Sequence, residues 1–377
     1  MGWISMNNLG HNKTIMIFGG SGNTGRKIAK LLLLYTECNV IIAARNIEPL
    51  EKIATALDNP NRLFCHPCDA ILPETFLDKL PNVDLVVSAS PTSLFTEEMV
   101  NACLKNGCDY IDLQYSGSKE HVMKSMASQL NNSSQLFITD AGFHPGLPAA
   151  LVRFAARQMD EIHTAKVSSA INMDWSHLDL SEATEREFVR ELLETDLSYF
   201  SHGEWQHPGM LTAPFSDVEF GEPIGKRKVM SMFMEELRTL PEQYQTLEKV
   251  GFFITGFGWL SDYIVMPLSM LAMKISPYYF EKMASAALIK SFEVSSHPPY
   301  YTALKLEATG IKDGKEIKLE QRFFHEDGYW FTAIPVVACL LQYFRGELPK
   351  SGLHWMGQIV KPEILMDDME KMGIELS

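Results

Sequence analysis

The sequence lacks several features that would mark common protein classes. It has no internal repeat, no low-complexity tract and no basic stripe; its longest basic cluster is Lys226-Arg227-Lys228. With 33 Lys and Arg against 47 Asp and Glu, the formal net charge is −14. That balance excludes nucleic acid as an expected partner, because phosphate binding needs clustered cations. Cysteine is scarce, with 6 in 377 residues, scattered and not preceded by a secretory signal. We therefore expect free thiols in a reducing compartment, the cytoplasm. No His/Cys cluster has zinc spacing, so no metal is expected. Cys65-His66-Pro67-Cys68 has the spacing of a redox pair, but it falls where a strand ends rather than where a helix opens, and the spacing reads as coincidence. The opening MGWISM has Met6 where a myristoylation signal wants Ser or Thr. Gly251–Ile275 is apolar enough to resemble a membrane span. Asp262 near its middle makes a span costly, and Pro267 follows. It reads as a buried helical hairpin or as a surface that docks on a partner or a membrane.

What is present is a regular alternation over the first 140 residues. Strands are expected at Thr14–Phe18, Asn39–Ala43, Arg62–His66, Val83–Ala89, Tyr110–Leu113 and Gln135–Thr139. Helices are expected between them, at Asn23–Tyr35, Glu48–Leu57, Thr75–Leu80, Thr96–Lys105 and Lys119–Leu130. Short apolar runs suit strands covered on both faces, and strand–helix alternation implies right-handed crossovers. The fold class is α/β, with an amino-terminal doubly wound parallel sheet, a Rossmann domain, over residues 1–142. The rhythm then changes. Residues 143–334 read as an α+β domain with an antiparallel sheet. It would hold a helix at Pro148–Met159, a strand at His163–Asn172, a polar helix at Glu182–Tyr199 and a hairpin turning at Asp313-Gly314. Residues 335–377 read as a helical tail that packs back on the first domain.

The first strand runs into Gly19-Gly20-Ser21-Gly22-Asn23-Thr24-Gly25. Glycines at this spacing, between a strand and a helix, let the backbone approach a pyrophosphate whose charge rests on the helix amino terminus. The second strand ends on Ala44-Arg45-Asn46. An acid there would accept hydrogen bonds from the ribose 2′-hydroxyl of NAD. A small residue followed by a guanidinium instead suits a 2′-phosphate, so the expected cofactor is NADP(H). Asp69, after the third strand, is a candidate acceptor for the adenine amino group. Ala89, Ser90 and Pro91, after the fourth, are small enough to admit the nicotinamide half.

Four stretches carry a resemblance: FGGSGNTGRKIA (Phe18–Ala29), VVSASP (Val86–Pro91), ACLKNGCDYIDL (Ala102–Leu113) and DAGFHPGLPAALV (Asp140–Val152). With FGEPIGKR (Phe220–Arg227) and the close GLHWMGQIVKPEILMDDMEKMGI, the sequence resembles the saccharopine dehydrogenase/reductase-like oxidoreductases. That resemblance implies a second domain that serves substrate and dimerisation, a homodimer, and NAD(P)-linked chemistry on an amino-acid-like or polyamine-like small molecule. Two features depart from a saccharopine site. Basic residues placed to hold three carboxylates are few, with Arg153, Arg157 and Arg190 as candidates, and Gly251–Ile275 is more apolar than such a site requires.

Reducing an imine or carbonyl needs a positioned acceptor and a proton donor. Tyr110 and Asp112 close the fifth strand at the edge where ligands bind. Asp112 either holds a substrate amine or caps the next turn. His144, in the DAGFHPG loop, is either a proton donor near its ordinary pKa or a brace for that loop. Tyr115/Lys119 and Tyr278/Lys282 both match the Tyr-x-x-x-Lys pair of short-chain reductases. The expected activity is NADP(H)-dependent hydride transfer at a CH–NH or C=O group. The alternatives are a non-catalytic NADP(H)-binding sensor or scaffold, a short-chain-type reductase, and a membrane-surface reductase acting on a hydrophobic substrate.

Overall fold

The computed structural model describes residues 9–69, 72, 82–115, 117–178, 185, 186, 189, 191, 192, 195–209 and 212–377. The helix expected at Thr75–Leu80 and the candidate Arg190 lie outside the described residues. The chain divides into two compact units. One holds the described residues up to Ala150 together with Tyr329–Met372; the other holds Leu151–Gly328 with Gly373–Ser377. The first boundary thus falls inside a helix, Leu147–Arg157, rather than at residue 142, and the returning segment starts at Tyr329 rather than 335.

The first unit is built on strands β1 (Thr14–Phe18), β2 (Asn39–Ala44), β3 (Leu63–Pro67), β4 (Leu85–Ser88), β5 (Asp109–Asp112) and β6 (Leu136–Thr139). Helices α1 (Asn23–Tyr35), α2 (Ile47–Leu57), α3 (Thr96–Asn106), α4 (Gly117–Asn131) and α5 (Leu147–Arg157) accompany them. All the pairings are parallel, in the order β3-β2-β1-β4-β5-β6, and Gly352–Trp355 adds a seventh strand beside β6. β1 therefore sits between β2 and β4, where the strand order reverses and a crevice opens at the carboxyl edge. Ile15, Ile17, Val86 and Val87 have no exposed surface, as strands covered on both faces require. The Gly328–Phe344 helix is apolar on nearly every side, and Phe331 and Ile334 are fully buried. Asp109 ties this helix to the sheet, since its two oxygens accept from Leu136 N and from the Tyr343 hydroxyl, each at 2.7 Å.

The second unit holds a mixed sheet of β7 (Glu161–Asn172), β8 (Tyr199–Ser201), β9 (Glu204–Gln206), β10 (Phe215–Glu219), β11 (Lys226–Met232), β12 (Lys249–Thr255), β13 (Tyr301–Lys312) and β14 (Lys315–His325), with Glu375–Leu376 on β14. It is not wholly antiparallel as expected, because β12 pairs with β7 in parallel. The last two-residue strand also returns here rather than staying with the tail. The β13–β14 hairpin turns at Asp313 (φ +50°) and Gly314 (φ +71°), both left-handed as a two-residue turn demands. The polar helix is helical at Glu185, Arg186, Val189, Glu191 and Leu192 but ends before Tyr199. Residues 195–198 lie outside the helix, and there the Asp196 carboxylate accepts from Ser198 N at 2.8 Å and from the Ser198 hydroxyl.

Gly251–Ile275 is not a helical hairpin throughout. It begins inside β12, passes Ser261–Val265 and continues as α6 (Met266–Ile275), and α7 (Pro277–Ser295) follows. Among the described residues no helix is long and apolar enough to cross a membrane.

Tyr343→Phe removes a hydrogen bond to a partly buried carboxylate. We expect it to cost about 1.5–3 kcal/mol, read as a lower thermal midpoint with unchanged far-UV circular dichroism.

Candidate functional site

The glycine loop closes by backbone bonds alone. The amides of Gly19 and Gly20 both donate to the Ala43 carbonyl at 3.0 Å, and Gly22 N donates to Gly19 O at 2.9 Å. Side chains have no room here. A Cβ on Gly19 (φ +77°) would lie 2.6 Å from Ala89 O, and one on Gly20 would lie 2.7 Å from Ile42 Cβ. A Cβ on Gly25 would run into Gly19 O. The loop therefore brings the start of α1 against the ends of both β2 and β4. Gly22 caps α1 without a side-chain bond, and no acid stands in the first turn. First-turn amides have no acceptor within a helix, so this end offers donors and positive potential to an anion. Arg26 adds a cation, anchored by donating to Asn23 Oδ1 at 2.8 Å.

At the end of β2, Ala44 is half-buried and Arg45 and Asn46 are exposed. Asn46 occupies the cap position of α2 without using its side chain as a cap. The next acid along the chain, Glu48, pairs with Lys52 at 2.8 Å. Cys68 N donates to Ala44 O at 2.9 Å, which sets half-buried Asp69 beside this edge. Ala89 N donates to Phe18 O at 2.9 Å, which seats Ala89, Ser90 and Pro91 against the loop. The Gln114 side-chain amide donates to the Ser90 carbonyl, and its Oε1 is buried without a hydrogen-bond partner among the described residues. The glycine loop, Ala44–Asn46, Asp69 and Ala89–Pro91 thus share one edge. The cradle fits a dinucleotide, because its glycines leave open space where any Cβ would collide.

Residues 15–138 match the family model described as the saccharopine dehydrogenase NADP binding domain. Over 382 aligned residues the chain is 25% identical to carboxynorspermidine synthase of Vibrio cholerae, covering 89% of each chain. The Vibrio alginolyticus enzyme of the same name is also 25% identical, with the same coverage. In fold, the chain is similar to apo saccharopine dehydrogenase (L-Glu forming) from Saccharomyces cerevisiae, with a TM-score of 0.63 and 14% identity over 97% of this chain and 99% of that one. The match to the family model thus covers the glycine-loop sheet, and the likeness to saccharopine dehydrogenase over the whole chain is one of fold.

Tyr110 and Asp112 lie at the end of β5, and His144 follows β6. Asp112 is fully buried and neither caps a turn nor faces solvent; its Oδ1 accepts from Lys119 Nζ at 2.8 Å. Lys119, itself 1% exposed, also donates to Asp140 Oδ1 at 2.5 Å and to the Gln114 carbonyl. Burial works against its charge, but the two carboxylates more than offset that, and its pKa is raised. Asp140 closes β6 in a left-handed conformation (φ +56°), and Ala141 N donates to Asp112 O at 2.8 Å. The ion cluster thereby fixes where the DAGFHPG loop begins. Tyr110 is buried beside Ser88 and Asp112, and burial, with the Asp112 charge, pushes its phenol well above the usual value. Burial pushes the His144 imidazole down to about 3. Its ring lies 3.8 Å from that of Phe143 at a tilt of 57°, and Phe143 stacks on Phe331 at 5.3 Å.

Lys119 and Asp140 were missed as a unit. The available signal was two aspartates closing adjacent parallel strands, which need a cation between them. Tyr115 lies before α4 rather than on it, and Lys119 is committed to carboxylates, so the pair is not a short-chain-reductase dyad. Tyr278 and Lys282 belong to α7 of the second unit. Cys65 and Cys68 are free, and burial raises both thiols, Cys68 to about 12, against the thiolate character a redox pair needs.

Lys119→Met leaves two buried carboxylates facing each other, and we expect a loss of about 3–5 kcal/mol in chemical denaturation. His144 makes a pH prediction. Its folded pKa of about 3 lies below the ordinary 6.5, so stability is complete above pH 6.5 and falls as pH drops toward 3. His144→Gln, which does not titrate, flattens that acid limb in thermal scans across the same window.

Proposed function

We propose that this protein is an NADP(H)-dependent oxidoreductase that transfers hydride at a CH–NH carbon of an amino-acid-like or polyamine-like substrate. One observation carries the cofactor part: an exposed guanidinium, Arg45, ends β2 beside the glycine cradle, and no acid stands at residues 44–46. A planar fork at that point suits the doubly charged 2′-phosphate, with the Asn46 amide beside it. The α1 amino terminus and Arg26 would hold the pyrophosphate, and Ala89–Pro91 would admit the nicotinamide. When bound, NADPH supplies a hydride.

The proton inventory of this edge supports CH–NH over C=O. Reducing a carbonyl leaves an alkoxide that needs an acid. A protonated imine accepts hydride and becomes a neutral amine without one. Among the described candidates at this edge, none is a ready acid at neutral pH: His144 is already deprotonated, Tyr110 holds its proton far too tightly, and Lys119 is locked between carboxylates. The two Vibrio relatives are named for a carboxylated polyamine, and we take that class for the substrate here.

Arg45→Ala is expected to weaken NADPH binding by about 1.5–3 kcal/mol, more than tenfold, and to leave NADH binding unchanged. Titration calorimetry with both nucleotides reads the difference. Equal losses for the two, or a wild-type preference for NADH, would overturn the assignment.

A further inference from the structure

The second unit carries an apolar surface that the proposed chemistry does not use. From residue 259 to 294 its outer face shows Trp259 (70% exposed), Tyr263, Leu268, Leu271, Ile275 (70%), Tyr279 (77%), Met283 and Val294. These do not scatter singly. Along α6 the exposed positions run Pro267, Leu268, Leu271, Lys274 and Ile275, and along α7 they run Tyr279, Lys282, Met283, Ala286, Ala287, Lys290 and Val294. Both are single helical stripes. The opposite faces are already occupied, since Leu288, Ile289 and Phe292 pack with Val189, Trp175 and Phe257. The exposed stripes are therefore surplus to the core of this unit. Contiguous apolar surface of this kind marks a docking face.

The charges on the face select what docks. Lys274, Lys282 and Lys290 are its exposed ionisable residues, on a chain whose net charge is −14. The acids of the same stretch are half-buried. Asp262 accepts from the amides of Phe257 and Gly258 at 3.0 and 3.2 Å, and Glu293 pairs with Lys290 at 2.6 Å. A second copy docking through this face on a two-fold axis would set lysines against lysines. An anionic bilayer surface would instead meet lysines at the headgroups, while Trp259, Tyr263 and Tyr279 suit the interfacial layer. α6 has 10 residues and α7 has 19, and neither spans a bilayer, so both would lie in the interface plane. We infer that the α6–α7 face docks on anionic lipid membranes, with the leucines and aromatic rings in the acyl boundary and the lysines at the headgroups.

The test is co-sedimentation of the full chain with vesicles of phosphatidylcholine alone and of equimolar phosphatidylcholine and phosphatidylserine. We expect binding to the anionic vesicles only, weakened by salt, with a tryptophan blue shift that Trp259→Phe abolishes. Lys274→Glu lowers partitioning about fivefold or more. Leu268→Ser/Leu271→Ser removes binding while thermal stability and NADPH affinity stay at wild-type values; the two readouts keep this inference separate from the proposed activity. Absence of binding to either vesicle overturns it, as does binding that neither variant reduces. A concentration-dependent dimer that Leu268→Ser/Leu271→Ser dissociates, without vesicle binding in the wild type, would assign the face to a second copy and also overturn it.

Discussion

One ammonium held between two carboxylates organises the carboxyl edge of the nucleotide-binding sheet. Strands β5 and β6 are parallel neighbours; β5 ends on Asp112, and Asp140 directly follows β6. Two buried carboxylates side by side would repel each other strongly in a medium that screens little. Lys119, from the first turn of α4, lies between them and also satisfies the Gln114 carbonyl. Gln114 in turn reaches the Ser90 carbonyl after β4. The ends of three consecutive strands are thereby linked through one cation and one carboxamide. The loops that would face the nicotinamide depend on that link, although neither Lys119 nor Gln114 belongs to the glycine signature.

The division of labour at this edge follows from burial. Arg45 and Arg26 are exposed, and the proposed function assigns them to phosphates. Buried groups are neutral or paired: His144 has lost its proton, Tyr110 keeps its own, and Lys119 is matched. Such an edge would supply little acid. Chemistry that carries its own proton into the reaction, as a protonated imine does, needs nothing more from it.

The sequence made the nucleotide-binding unit legible because its signals are local. Apolar runs of fixed length mark buried parallel strands, and a glycine cluster between strand and helix has few other physical uses. The position of Arg45 could be placed for the same reason, as it directly follows β2. The Lys119–Asp112–Asp140 cluster was not read, because it joins groups up to 28 positions apart that only strand register brings together. Asp112 and His144 were named for their chemistry, yet what each can do depends on burial, which single residues do not reveal. β12 was misjudged because a strand buried in a mixed sheet and a buried helix look alike in an apolar run.

The nucleotide-binding sheet takes its seventh strand, Gly352–Trp355, from the far side of the second unit in the chain. On the ribosome, β6 therefore emerges long before the strand that covers it. For that interval the growing polypeptide carries a naked sheet edge, the geometry that invites wrong pairing. A nascent chain of this design is most vulnerable late in synthesis, and a premature stop near the carboxyl terminus would leave a nearly complete but adhesive product.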